Sequence, residues 1–179
     1  MSARTKKKTV LRTIRLTEEL NGSLQEAAQE SGMNLNALIN KIMVKYAEWD
    51  RHIEKFNFIT IASETFESIL REVDDKRLEN IANDIGSKIP KSVTLFWFKK
   101  LNLETFLKTI SLYGKYSGLQ TNEIEINEKN CIITFHYNLG EKWSIFLRHF
   151  MSQFVKSAVG ILPQTDVADN LVVVSFSVP

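Results

Sequence analysis

Thr9-Val10-Leu11-Arg12-Thr13-Ile14-Arg15-Leu16 runs straight into Thr17-Glu18-Glu19-Leu20. The first eight residues are rich in β-branched side chains and end in strict alternation. Arg12, Ile14 and Leu16 fall on one face and Leu11, Thr13 and Arg15 on the other, which is the period of a strand. Thr17 is a preferred N-cap, and Glu18 and Glu19 behind it occupy the first turn, where the helix dipole favours anions. Leu20, Leu24, Ala27 and Ala28 then share a helical face. Gly32 is placed to end that helix in the left-handed conformation, and Asn34 to cap a second one. The second helix carries Leu35, Leu38, Ile39, Ile42, Met43 and Tyr46 on its apolar side and meets no breaker before about Asn57.

One strand and two short helices cannot bury a core, and a lone strand leaves its backbone groups unpaired. The pattern therefore predicts a homodimer, in which two copies pair their strands as an intermolecular two-stranded ribbon and interlock their helices. Ile14 and Leu16 would face the shared core, with Arg12 at its edge. Leu11, Thr13 and Arg15 would point outward. A two-stranded ribbon fits the major groove of double-stranded DNA. Arg15 can then bond guanine or a phosphate, Thr13 can bond either base type, and Leu11 can touch a thymine methyl.

Charge supports a polyanionic partner. The net charge is only +2, but residues 1–16 carry Arg4, Lys6, Lys7, Lys8, Arg12 and Arg15 with no acid. Residues 56–179 hold 13 Lys+Arg against 14 Asp+Glu. A basic arm on a near-neutral body is an electrostatic footprint for nucleic acid. Lys6, Lys7, Lys8 and Arg12 are the expected phosphate contacts.

Residues 9–49 resemble the ribbon-helix-helix DNA-binding family, the class of the Arc, methionine and plasmid copy-number repressors. The resemblance lies in the alternating Leu11–Leu16 stretch, the Thr17-Glu18-Glu19-Leu20 helix start and the turn Gly32-Met33-Asn34-Leu35-Asn36. That turn is similar to the family's Gly-x-Ser-x-Ser segment, with asparagine at both serine positions. The resemblance implies a dimer that reads bases through Leu11, Thr13 and Arg15 and holds phosphates at Asn34 and Asn36. Leu11 departs from it, since the first reader is ordinarily polar. The competing reading makes residues 9–16 an ordinary edge strand of the larger domain.

The remaining residues divide as a basic arm (1–8), the DNA-binding module (9–55) and an oligomerisation or effector domain (56–179). In the last, the pattern predicts a strand at 56–62 and helices at 63–73 and from Asp74 to about Ser87. It predicts a strand at 93–98, a helix at 103–116, a hairpin of 124–127 and 131–137, a helix at 141–159 and a strand at 171–178. The last six of these run β-α-β-β-α-β, the ferredoxin-like order. The fold class expected for the whole is α+β: a ribbon-helix-helix module followed by a ferredoxin-like domain.

No Walker A, GxGxxG, GxSxG or HExxH motif is present, so no enzyme is expected. Cys131 is the one cysteine, and no multi-cysteine metal site can form. The family's nickel-responsive member pairs such a module with a ferredoxin-like sensor and uses a His-x-His pair. His52, His136 and His149 supply none, and neither metal nor cofactor is expected. His136, Tyr137 and Trp143, in the turn between strand and helix, form the candidate rim for a small-molecule effector; the competing and simpler reading makes Trp143 and the stripe it starts part of the core. No apolar run reaches the roughly 18 residues of a membrane span, and none of signal-peptide length follows the basic start. The expected protein is a cytoplasmic, nucleoid-associated transcriptional regulator, most simply a repressor. An antitoxin-like interaction protein that uses the module only to dimerise is the alternative.

Overall fold

The computed structural model describes residues 9–168 and 170–178. The chain divides into two compact units, one ending at Ala47 and one beginning at Glu48. That boundary falls ahead of the 55/56 seam read from the sequence.

The first unit is a pair of helices, α1 (Glu18–Glu30) and α2 (Leu35–Lys45). Thr17 caps α1, its side chain accepting from the Leu20 amide at 3.3 Å. Gly32, with φ +64°, ends it. The Met33 amide donates back to the Ala28 carbonyl at 2.9 Å and the Gly32 amide to Gln29 at 3.0 Å, the six-to-one closure of a left-handed helix stop. Asn34 caps α2 through an Oδ1 that accepts from the Ala37 amide at 2.9 Å. The helical path continues through a π turn (Tyr46–Asp50), a single α turn α3 (Arg51–Ile53) and a 3-10 turn (Glu54–Phe56), and stops at Asn57 with φ +53°.

The second unit, which already holds α3 and the 3-10 turn, goes on with three longer helices: α4 (Ser63–Arg71), α5 (Asp75–Phe98) and α6 (Leu103–Tyr116). A hairpin of β1 (Gln120–Ile126) and β2 (Asn130–Tyr137) follows, then α7 (Gly140–Val159) and a second hairpin of β3 (Gln164–Ala168) and β4 (Leu171–Ser177). The sheet order is β1-β2-β4-β3 and every pairing is antiparallel. Two α-β-β halves, beginning at α6 and α7, thus meet along the β2–β4 seam, where Ile133 pairs with Val174. Cys131, Ile133, Phe135, Val172, Val174 and Phe176 alternate onto one sheet face and are buried against Phe106, Leu147, Met151 and Phe154 of α6 and α7. The intervening residues turn away from that core, with Glu123, Thr134, Val173 and Asp166 in one cross-strand row.

The expected fold class is corrected except for its α+β label. Residues 9–16 form no strand, and the intermolecular ribbon is not a feature of the structure. A strand needs a second backbone to bond, and among the described residues none pairs with this stretch. Residues 56–62 end a helical run and then follow irregular backbone. The apolar stretch 93–98 completes α5, and β3, which is short and polar, was not expected. The ferredoxin-like order falls with those two changes. The last six elements are α-β-β-α-β-β.

Candidate nucleic-acid interface

The positions expected to read DNA lie on the exposed lead into α1. Leu11 is 90% exposed, and Thr13 and Arg15 are also exposed. The Arg12 guanidinium donates to the neighbouring Leu11 carbonyl at 3.2 Å and stays on the surface. Lys6, Lys7 and Lys8 lie outside the described residues. Asn34 and Asn36 are both exposed at the start of α2. The Asn34 carbonyl oxygen is committed to its own helix, which leaves its amide nitrogen and the leading backbone amides of α2 to face an anion. The expected anchors therefore share one helix start, and the expected readers share the segment that enters α1.

This unit buries little. Ala28 is the buried residue of α1, and α2 has none. Ile14, Leu20, Ile42, Met43 and Tyr46 are each about half exposed. All but Ile14, which lies in the lead before α1, are apolar positions of the helical periodicity, so helix formation alone does not remove them from water. The stripe was legible in the sequence; among the described residues of this unit nothing covers it.

The effector-rim residues are not brought together. His136 is exposed on the sheet face away from the core. The Tyr137 hydroxyl donates to the Ser144 hydroxyl at 2.7 Å, inside the turn. Trp143 is buried, stacked on Phe146 at 5.0 Å with Phe66 edge-on at 5.6 Å, and its Nε1 has no partner. A groove of about 480 Å³ lies elsewhere, between residues 56–59 and α5, lined chiefly by Phe56, Phe58, Ile59, Ile89 and Val93. Among the described residues no three His, Cys, Asp or Glu side chains gather to hold a metal.

Sequence reading missed an aromatic cluster at the start of the second unit. Trp49 is buried, with Trp97 at 5.5 Å, Tyr113 edge-on at 5.2 Å and Tyr116 at 5.9 Å. Burial pushes the Tyr113 phenol up to about 12. Glu48 accepts from Lys115 at 2.8 Å and from the Tyr116 hydroxyl at 2.7 Å; the bond to Glu48, and after it the Tyr116 oxygen, hold the Lys115 ammonium above its ordinary range. Next to it, Phe96 has His52 edge-on at 6.0 Å, and the ammonium groups of Lys99 and Lys55 lie 4.9 and 5.8 Å from its ring centre. Arg51 Nε donates to His52 Nε2 at 3.1 Å. Burial, and after it the charges of Arg51, Lys55 and Lys99, keep the His52 imidazole below its ordinary pKa. The cluster joins residues 44 to 68 positions apart, and local periodicity carries no signal for such a meeting.

No family model matches the chain, and no curated protein or solved structure matches it either.

Proposed function

We propose that the protein is a sequence-specific DNA-binding transcriptional regulator that acts as a homodimer and represses by occupying its operator. One observation carries the reading. The first unit is two well-capped helices with one buried residue between them, led by an exposed stretch that carries Arg12, Thr13 and Arg15. Such a unit is too small to be stable without covering its apolar stripe. A second copy supplies the cover at Leu20, Ile42, Met43 and Tyr46 and doubles the basic segment about a two-fold axis. Doubling suits a palindromic site.

In this reading Arg15 bonds guanine O6 and N7 or a phosphate, Thr13 bonds a base edge, and the start of α2 anchors a phosphate. Lys6, Lys7, Lys8 and Arg12 add a salt-sensitive, sequence-independent attraction. The resemblance of the helices and of the Gly32–Asn36 turn to the DNA-binding family supports the proposal, which does not depend on a strand at 9–16. The second unit oligomerises or senses an effector. Its packed core sets it apart from tails that fold only on binding a protein partner.

The test is selection of bound duplexes from a random DNA pool at about physiological salt, with wild type beside Thr13→Ala/Arg15→Ala. Wild type should enrich a palindrome and the double variant should not. Arg15→Ala alone should cost about 1–3 kcal/mol, confined to one base per half-site if it reads guanine. Enrichment of no sequence by either protein would refute the proposal.

A further inference from the structure

Residues 48–179 carry fifteen Lys+Arg against seventeen Asp+Glu, yet Arg51, Lys55 and Lys99 collect around one pair of rings. Lys55 and Lys99 bracket Phe96, and Arg51 is held against His52, which packs on both Phe96 and Trp97. All three cations are exposed. Among the described residues none of them is within ion-pair distance of a carboxylate. Glu54, their neighbour in the chain, makes no ion pair with them, and Glu48 is taken by Lys115 and Tyr116.

Two internal effects account for part of this gathering. α5 ends at Phe98, and its C-terminal carbonyls attract cations with the equivalent of about half a charge. The face of Phe96 adds a weak attraction for an exposed cation. The half charge at the helix end does not neutralise three cations, and the carboxylates of Asp50 and Glu54, beside Arg51 and Lys55 in the chain, lessen the positive field without matching it. Its form is also informative. The cations stand on an open surface, on two separate stretches of chain, with half-buried aromatic rings between them. A small anion calls for convergent, enclosed donors, whereas a polyanion is bound by spaced surface charges.

We propose that Arg51, Lys55 and Lys99 form a second contact surface for the phosphate backbone of DNA, outside the first unit. The inference rests on the proposed function and extends the footprint that the regulator makes on DNA. It assigns no base reading to this surface, so its contribution is the same for every sequence.

The full-length protein tests it. Affinity for the selected duplex and for a scrambled one is measured across a salt series for wild type, for Arg51→Gln/Lys55→Gln/Lys99→Gln, and for the charge-retaining Lys55→Arg/Lys99→Arg. Urea midpoints are taken alongside to show that each variant is folded. Each phosphate contact contributes about 0.9 to the slope of log affinity against log salt. The glutamine variant should therefore lose about 2–3 from that slope and weaken equally on both duplexes, and the arginine variant should keep the slope. An unchanged slope in a folded glutamine variant would overturn this inference and leave the proposed function standing. Failure of wild type to bind either duplex would overturn both. Charge-dependent binding to phosphatidylserine vesicles, with no change in the DNA slope, would give the surface to a membrane and reject the proposal.

Discussion

Cys131 shows how one residue's chemistry follows from its place in the sheet. It faces the core on β2, pairs with Ile126 and Phe176, and is fully buried. Burial without a cationic neighbour disfavours the thiolate and pushes the thiol up to about 11. The native protein should therefore resist a thiol reagent at pH 8 and react once unfolded in urea. The sign follows from the raised value. The folded state holds the proton more tightly, so its advantage is intact below the ordinary thiol pKa near 9 and fades as the pH climbs through about 11. Rapid labelling of folded protein at pH 8, followed with a chromogenic disulfide, would contradict the burial argument. Trp143 makes a related point. An unpaired buried N–H costs about 1–3 kcal/mol, and burying the ring between Phe66 and Phe146 returns a comparable amount. The side chain is explained by packing alone, as one of the two sequence readings held.

Among the elements, α5 departs furthest from its sequence reading. Pro90 and the apolar run after it suggest a helix stop and a strand. Yet Leu78, Ala82, Gly86, Pro90, Val93 and Thr94 form one buried helical face with steps of mostly four residues. Pro90 costs about 3 kcal/mol inside a helix, and the burial of that whole face outweighs it. Thr94 ties the end of the face down by donating to the Pro90 carbonyl at 2.8 Å or bonding Thr109 of α6 at 2.9 Å. A methyl group on Gly86 would stand 2.5 Å from the Phe150 carbonyl oxygen of α7, which is backbone and has little room to yield. Gly86→Ala should cost about 1–3 kcal/mol by forcing α5 and α7 apart, read as a lowered urea midpoint. A midpoint equal to wild type or above it would mean that the helices separate freely. The two caps of the first unit, the Gly32 stop, α6, the β1–β2 hairpin and α7 were all legible, because each depends on residues close in sequence. The fate of 93–98 was not, since a run of apolar residues has no period of its own, and the neighbours it packs on, Thr109 and Tyr113 of α6 and Trp49, are remote in sequence.

At the scale of the whole chain, the two units differ in how completely they satisfy their own sequences. The second buries a continuous core beneath its sheet. The first leaves its apolar stripe and its basic lead exposed. The candidate DNA-contacting residues could be named from the sequence because they sit on one local pattern of alternation and caps. The Phe96 surface could not, because Lys55 and Lys99 are brought together only by the tertiary fold. The strand expected at 9–16 failed for a reason of the same kind. Alternation states which side chains share a face, and among the described residues no partner backbone pairs with this stretch to make a strand.

The order of the sheet also sets the tempo of its assembly. β1 closes on β2 across three residues and β3 on β4 across two, so each hairpin can form within microseconds. The β2–β4 seam must wait for the whole of α7 to fold back, a longer and entropically costlier closure. That makes the seam the rate-limiting encounter. Val174→Ala should then slow refolding more than it speeds unfolding, as followed by tryptophan fluorescence after rapid dilution from urea. A change confined to the unfolding limb would place the joining of the two halves after the barrier.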